Sequence, residues 1–520
     1  MSVKFCIHTL GCRVNQYESD AIAANLEAAG WIPCKPNEGP DVAIVHTCAV
    51  TQEATRKSGQ MIRRMKQRFQ AKLVVALGCQ VELLDGSSEA DLALGNRKKN
   101  LAHEAILEAY EAYQEGRLVT ESDQLFAFSD EARPSEAVDT SRAKELLQAN
   151  DRKLQHATAQ PQHRTSESRP TAEQLPNATS EGQASRPRMV LGGIRQESLI
   201  CHQMNDRTED KRGQRIFAET GAVTEQQGTR AYIKVQDGCD MRCTYCAIHT
   251  ARGASCSRSF EAVLEEARAL LRRGYRELVL TGIEVAAYGY DLDEKKRLID
   301  LLEAIDSMPG LDRLLTASLD PRIASEDFAS RVSKLQHFGA HFHLSLQSGA
   351  TSVLRRMKRP YTAEAYQKAC DRLKRHLPDV NLTTDLIVGF PGETEEEHAA
   401  SLAFVRGIGF SDLHIFPYSD RPGTEASQMP QKVAPDQIKK RMKDFQKLRQ
   451  ELWKQRASEE FHREHDVLVE QIEAREALGY SRNYLPMRVS GAIQNVQVGQ
   501  VLHCQVIGSD DKALLAIAKA

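Results

Sequence analysis

The chain is 520 residues long, 41% hydrophobic, with a formal net charge of -2. That length suits roughly three domains of about 150 residues. The near-neutral charge excludes nucleic-acid binding through global charge alone and leaves only local patches. No apolar run reaches the ~18 residues of a membrane span, and Met1 to Cys6 do not read as a secretory leader. The twelve dispersed cysteines read as cytoplasmic thiols and metal ligands rather than disulfides.

Residues 1–115 read as an α/β unit. Val3 to Leu10 predicts a strand ending at Gly11-Cys12, and Glu18 to Ala29 a helix stopped by Gly30. Val42 to Thr47 predicts a strand ending at Cys48, Thr55 to Phe69 a basic helix, and Leu73 to Leu77 a strand ending at Gly78-Cys79. In a parallel sheet the strand C-termini share one edge, where ligands bind. Cys12, Cys48 and Cys79 could therefore hold a metal cluster with one open position; three buried core cysteines are the alternative. Cys6, Cys34, Cys201, Cys256, Cys370 and Cys504 show no such pattern, although Cys256 lies close to the next motif.

Residues 116–228 lose periodicity and are dominated by Ser, Gln, Pro, Glu and Arg between Gln155 and Pro187. Such a composition cannot bury enough surface to offset its ordering entropy. It predicts a largely disordered insertion, with a short helix over Ser141 to Asn150 and marginal strands at Met189-Val190-Leu191 and Arg215-Ile216-Phe217.

After the strand-like run Arg230 to Val235 comes Cys239-Asp240-Met241-Arg242-Cys243-Thr244-Tyr245-Cys246, a CxxxCxxC loop. Three thiolates on one tight loop can hold three irons of a 4Fe-4S cluster and leave the fourth open. Zinc is the competitor, with His249 as its fourth ligand, but zinc pairs rarely have a three-residue first gap. From there to Phe416 strands and helices alternate: strands at Glu277 to Gly282, Arg313 to Leu319, His341 to Gln347, Thr384 to Gly389 and Asp412 to Phe416, with helices between them. About six such units in residues 229–455 predict a partial parallel (β/α)6 barrel with function at the strand C-terminal ends. Asp436 to His465 predicts a long basic helix, either solvated or facing nucleic acid. Residues 456–520 alternate in short segments such as Val467 to Glu470 and Val501 to Val506, which suits a small antiparallel β-barrel.

The two cysteine triads and the small β module together resemble the radical S-adenosylmethionine (SAM) methylthiotransferases. The resemblance implies an N-terminal cluster domain, a radical SAM domain and a C-terminal TRAM domain, and it covers the chain apart from residues 116–228. Thr9-Leu10-Gly11-Cys12-Arg13-Val14-Asn15 and Thr47-Cys48-Ala49-Val50-Thr51 resemble the MtaB-type branch. That branch acts on N6-threonylcarbamoyladenosine in tRNA; others act on isopentenyladenosine in tRNA or on a ribosomal-protein aspartate. His46, Gln80-Val81 and Glu284 depart from the family pattern. A radical SAM enzyme modifying a protein and a non-catalytic iron–sulfur RNA-binding protein are the other readings.

The resemblance further implies two 4Fe-4S clusters, on Cys12, Cys48 and Cys79 and on Cys239, Cys243 and Cys246, with SAM at the second. Tyr245, Thr281, Gly282, Ser318, Gln347, Asp385 and Val388 would then serve SAM. Arg13, Asn15, Arg252, Lys358 and Arg359 are candidates for the substrate, because a carboxylate on it would want a bidentate cation. The basic run Arg355 to Tyr361 and the turn Arg482 to Pro486 are candidates for tRNA. The implied partners are tRNA, a reducing protein of the flavodoxin or ferredoxin type and a sulfur donor. SAM cleavage would give a 5′-deoxyadenosyl radical able to act at adenine C2, which carries no leaving group. The N-terminal cluster would carry the sulfur.

Overall fold

Strands β1 (Lys4–Thr9), β2 (Ile32–Pro33), β3 (Val42–Thr47), β4 (Leu73–Gly78) and β5 (Leu92–Leu94) form one parallel sheet in the order β2-β1-β3-β4-β5. These come from a computed structural model, which describes residues 2–84, 88–118, 215–220, 223, 226, 228–473 and 475–519. Every residue of β3 and β4 is buried, as a parallel sheet covered on both faces requires. Val42 and Ile44 face one core with Leu26 and Ile106, while Ala43 and Val45 face another with Ile62 and Met65. This is the period-2 alternation of a strand. The covering helices are α1 (Arg13–Ala28), α2 (Gln52–Gln67), the short α3 (Cys79–Leu83) and α4 (Ala102–Gln114).

Helix α1 begins at Arg13, well before the predicted Glu18, with Cys12 as its N-cap. Apolar periodicity misses this first turn because polar Asn15, Glu18 and Ser19 are buried there beside Val14 and Tyr17. Their partners belong to the site described below.

The second layer system begins with β6 (Arg230–Lys234) and a short antiparallel pair, β7 (Gln236–Asp237) with β8 (Cys256–Ser257), that brackets the CxxxCxxC loop. It continues through β9 (Glu277–Thr281), β10 (Arg313–Thr316), β11 (His341–His343), β12 (Asn381–Val388) and β13 (Asp412–Pro417). Two three-stranded parallel sheets, β10-β9-β6 and β11-β12-β13, are joined by the bridges Leu314–Phe338 and Leu319–Leu344. The result is the expected six-stranded partial barrel. Helices α5 (Ile248–Arg252), α6 (Phe260–Arg272), α7 (Leu298–Asp306), α8 (Glu326–Val332), α9 (Thr351–Arg356), α10 (Ala363–His376) and α11 (Glu395–Ile408) fill the connections. Helix α11 starts in a capping box between Thr394 and Glu397 and stops at Gly409 with φ of 72°.

The long helix α12 (Pro435–Glu459) ends earlier than predicted and packs on the barrel through Phe445, Leu448 and Leu452 and on the C-terminal module through Trp453. Each fully buried side chain of that size contributes about 1.5–3 kcal/mol. Its basic residues are substantially committed: Arg441 pairs with Glu393 at 2.9 Å, and Arg449 pairs with Asp412. The C-terminal barrel closes in the order β14-β15-β16-β18-β17, from β14 (Glu464–Ile472), β15 (Ala477–Ser481), β16 (Pro486–Gly491), β17 (Val501–Ser509) and β18 (Leu514–Ala518). One of its pairings, β16 with β18, is parallel, against the all-antiparallel expectation.

Most of the predicted insertion, with its helix at 141–150 and strand at 189–191, lies outside the described residues. Its far end does not behave as an insertion. Val223 packs on Tyr17 and Ala21, the Thr220 carbonyl accepts from Asn25 Nδ2 at 3.1 Å, and Glu219 pairs with Arg258 at 2.9 Å. Only a single bridging residue, Arg215, stands where a strand was expected.

Candidate functional site: two cysteine triads across one seam

The parallel register brings Cys12, Cys48 and Cys79 to the C-terminal edge of β1, β3 and β4. Cys48 and Cys79 are buried and Cys12 is exposed. Gly11, at φ of 106°, lies so close that a Cβ there would sit 2.8 Å from Cys48 Sγ. Only glycine suits that conformation and that approach. Asn15 fastens the edge: its Nδ2 donates to the carbonyls of Leu10 at 2.8 Å and Thr47 at 3.1 Å.

The charge beside this triad comes from both domains. Arg252, from helix α5, donates through Nε to Cys79 Sγ at 3.3 Å and through Nη2 to Asn15 Oδ1 at 2.7 Å. Glu18 and Asp237 receive Arg252 Nη1 at 3.0 Å each. Lys234 reaches Glu18 at 2.5 Å, Lys99 pairs with both carboxylates, and Arg215 meets Asp237 at 3.2 Å. Burial alone would raise the Glu18 carboxyl, but Arg252, Lys234 and Lys99 hold it well below the usual carboxylate range. Burial pushes His46 down to about 3, so it is neutral and bonds Ser19 at 2.9 Å. Four basic side chains thus face two carboxylates, and burial pushes the Lys99 and Lys234 amines down, toward their neutral forms. The buried charge that remains demands compensation, which thiolates at the triad would supply.

The CxxxCxxC triad is held differently. Thr244 N–H donates to the Met357 carbonyl at 3.1 Å and its hydroxyl to the Arg356 carbonyl at 3.0 Å. Arg359 donates to Cys243 Sγ at 3.4 Å while pairing with Asp320 at 3.3 Å. The backbone N–H groups of Val50 and Ile248 point at Cys48 Sγ and Cys246 Sγ, at 3.4 and 3.5 Å. Burial pushes Cys48 up to about 11 and Cys239 up to about 12, so their thiolate forms need a bound metal or a nearby cation. His249, the candidate fourth zinc ligand, turns its Nε2 to Arg242 at 3.1 Å instead.

Glu284 stands out in the sequence only as a departure from the family pattern touching the cluster edge and the SAM pocket. It is half-buried, its Oε1 is a buried atom with no hydrogen-bond partner, and it acts electrostatically on Cys239. Burial, then Asp320, push its carboxyl up to about 7. A carboxyl group with one unpartnered oxygen beside the cluster loop fits a ligand ammonium group, such as that of a methionyl moiety.

The other predicted positions divide. Tyr245 packs with Phe390, Tyr418 and Ile387 above the barrel. Thr281 is buried and Ser318 exposed at their strand ends, and Gly282 has no room for a side chain, since a Cβ would lie 2.9 Å from the Gln236 carbonyl. Gln347 sits at a strand end with φ of 72°, a conformation that non-glycine residues adopt at a cost and that clusters at ligand sites. The Asp385 carboxylate meets His343 and His414 at 3.2 Å each. The Val388 side chain lies in the core and its carbonyl accepts from Tyr418 N–H at 2.8 Å.

The substrate candidates are placed unequally. Asn15 and Arg252 are buried, the Arg359 side chain is nearly so, and all three make the contacts above. Lys358 is exposed but paired with Glu425 at 2.6 Å. Arg13 is exposed, beside Cys12, and lies over the Tyr232 ring at 5.0 Å. Within the basic run, Arg356 is held by Glu397 at 2.6 Å. The turn at 482–486 docks on the barrel, with Tyr484 stacked on His341 at 4.9 Å and bonded to Arg230 at 2.6 Å. Arg356, Lys358 and Arg359 are thus engaged within the protein, whereas Arg355 and Arg482 are exposed.

Comparison with known proteins agrees with this division of the chain. Residues 233–405 match the Radical SAM superfamily, and residues 4–93 match the Uncharacterized protein family UPF0004. The chain is 27% identical over 510 residues to the threonylcarbamoyladenosine tRNA methylthiotransferase MtaB of Bacillus subtilis, covering 96% of this chain and 93% of that protein. It is 29% identical to the MtaB of Thermotoga maritima, over 84% of this chain and 79% of that one. It is 28% identical to a tRNA-2-methylthio-N(6)-dimethylallyladenosine synthase of Pelotomaculum thermopropionicum, over 90% of this chain and 86% of that one. No helix among the described residues is long and apolar enough to cross a membrane.

Proposed function

The chain belongs to the radical SAM methylthiotransferase family, and within it we propose a tRNA enzyme that adds a methylthio group to C2 of N6-threonylcarbamoyladenosine at position 37. The observation that carries the reading is the meeting of two cysteine triads across one seam, with Arg252 reaching from beside the CxxxCxxC loop to Cys79 at 3.3 Å. The choice of nucleoside is supported by the Leu10-Gly11-Cys12-Arg13-Val14-Asn15 motif and by the function named for two of the relatives above.

In this reading each triad holds a 4Fe-4S cluster. A cluster and SAM bound at the CxxxCxxC loop supply the electron transfer and the 5′-deoxyadenosyl radical that an unactivated adenine carbon needs. The chain's own residues do the rest. Glu284 would receive the SAM ammonium; Thr281, Ser318 and Gln347, at and just past the strand ends, would orient SAM; Arg359 fixes the loop by binding Cys243. Arg252 and Asn15 are positioning residues that hold the N-terminal triad to the barrel. Arg13, beside Cys12, is the exposed cation left to meet the threonyl carboxylate. Residues 1–115, 229–455 and 456–520 act as cluster, radical SAM and TRAM-like parts. A flavodoxin- or ferredoxin-type reductant and a sulfur donor serve the enzyme in the cytoplasm.

The test is nucleoside mass spectrometry after incubating anaerobically reconstituted protein with SAM, reductant, sulfide and tRNA. tRNA carrying threonylcarbamoyladenosine should gain a methylthio group, and tRNA carrying isopentenyladenosine should not. Equal modification of both would overturn the branch assignment. Modification of the second alone would favour the function named for the Pelotomaculum relative.

A further inference from the structure

The inner face of the barrel carries a group of imidazoles that neither triad uses. Asp385 and His414 are register partners on β12 and β13, and His343 lies on the neighbouring β11. The Asp385 carboxylate meets His343 Nε2 and His414 Nδ1 at 3.2 Å each. One ligand atom from each of the three residues falls within 4.8 Å of the others. No lysine or arginine among the described residues pairs with Asp385. Burial alone would raise its carboxyl, but hydrogen bonds from the two imidazoles hold it well below the usual carboxylate range. Leu386 and Val388 turn into the main core. Strand alternation therefore puts Asp385 on the same face as Ile387, which packs with Tyr245 of the CxxxCxxC loop.

Each imidazole is also braced from behind. His343 Nδ1 is 3.0 Å from Thr383 Oγ1, and the same hydroxyl is 3.0 Å from His341 Nε2. Burial pushes His341 down to about 3, so its ring is neutral and can accept the Thr383 proton. The hydroxyl then accepts from His343 Nδ1–H, which leaves the His343 Nε2 lone pair toward Asp385. On the other side, His414 Nε2 lies 3.9 Å from Asp412 Oδ2. Metal-binding histidines use this arrangement: one ring nitrogen is held by a hydroxyl or carboxylate and the other is left for the ion. Two imidazoles and one carboxylate suit a divalent first-row ion and leave positions open for oxygen ligands. We propose that His343, Asp385 and His414 form a mononuclear site for a divalent transition-metal ion, separate from both cysteine triads. The inference does not depend on how many clusters the triads hold or on which nucleoside is modified.

The experiment uses zinc as the probe, because zinc undergoes no redox exchange with the clusters. Anaerobically reconstituted full-length protein is titrated with zinc against a chromophoric chelator, iron is counted, and the zinc shell is read by X-ray absorption. The parent should hold about one zinc, with nitrogen and oxygen at about 2.0–2.2 Å and no sulfur at about 2.3 Å. Asp385→Asn and His414→Ala should each weaken binding by more than about a hundredfold, and Thr383→Val, which removes only an outer partner, by about ten- to a hundredfold. His503→Ala is the surface control: that exposed histidine meets Asp466 and Glu464 at 2.9 Å each, and its loss should leave the zinc unchanged. His414 is exposed, so its variant carries the comparison should Asp385→Asn fail to fold. Parental affinity in the His414 variant overturns the proposal. So do sulfur ligation in the parent and a loss that follows His503 instead. A parent that binds no zinc overturns it too, and would leave Asp385 as a carboxylate that merely bridges two imidazoles.

Discussion

The two cysteine triads are assembled in opposite ways. Cys239, Cys243 and Cys246 share one loop, pinned by Thr244 to the backbone after α9. Cys12, Cys48 and Cys79 come from three strand ends and meet only because β1, β3 and β4 are parallel and adjacent. Each triad has one arginine on a cysteine sulfur, Arg359 on Cys243 and Arg252 on Cys79. Arg359 stays within the barrel domain, whereas Arg252 crosses to the other domain and is shared with Glu18. The loop triad is therefore locally determined. The strand-end triad depends on the sheet and on the seam.

The largest effect comes from removing one triad at a time. With Cys12, Cys48 and Cys79 all changed to Ala, iron should fall by about four per chain. Methylthio product should vanish while SAM cleavage persists within a few-fold. The matching change at Cys239, Cys243 and Cys246 should abolish both, read by deoxyadenosine release and nucleoside mass spectrometry. If SAM cleavage were lost equally in both variants, the triads would not be separate in function.

Next come the two arginines. Arg252→Met leaves Glu18 and Asp237 buried with one cation fewer, and breaking a buried pair costs about 3–5 kcal/mol. The urea midpoint should drop, and iron should be lost from the N-terminal triad first. Arg359→Met should shed iron from the loop triad instead. A variant at either position that sheds both clusters together would erase the distinction.

Acid should separate the seam from the rest of the molecule more gently. The Glu18 carboxyl is held below its free value. Its contribution is therefore fully present above the unfolded glutamate value of about 4.3 and is lost as pH falls through the lower folded value. Urea midpoints measured downward from pH 5 should fall more steeply for the parent than for Glu18→Gln. Parallel slopes would remove Glu18 from the account. The smallest effect is expected at Lys358: its pair with Glu425 is exposed, and such pairs contribute less than about 1 kcal/mol. Lys358→Ala should shift tRNA affinity by no more than about twofold in filter binding.

The difference between the triads also governs what the sequence revealed. The CxxxCxxC spacing is local, so it is legible by inspection. The strand-end cysteines were legible through a topological rule, since apolar runs such as Val42 to Val45 mark buried parallel strands. The seam was not legible. Glu18 reads as an ordinary helix-face acid and Arg252 as a free cation, yet 234 positions apart they form one buried pair. Glu284 was visible only as a departure from the family pattern; that one of its oxygens is buried without a partner is a property of the fold. Asp237, just before the loop motif, offered a positional signal that spacing alone could have flagged.

The central claim is that two separate clusters serve one active seam. Iron and sulfide analysis with Mössbauer spectroscopy of anaerobically reconstituted full-length protein tests it most directly. The account predicts about eight irons per chain in two 4Fe-4S clusters, each with one iron whose signal shifts on adding its own small ligand, SAM for the loop triad and methanethiolate for the strand-end triad. Saturation at about four irons, with zinc or free thiols at Cys12, Cys48 and Cys79, would contradict it.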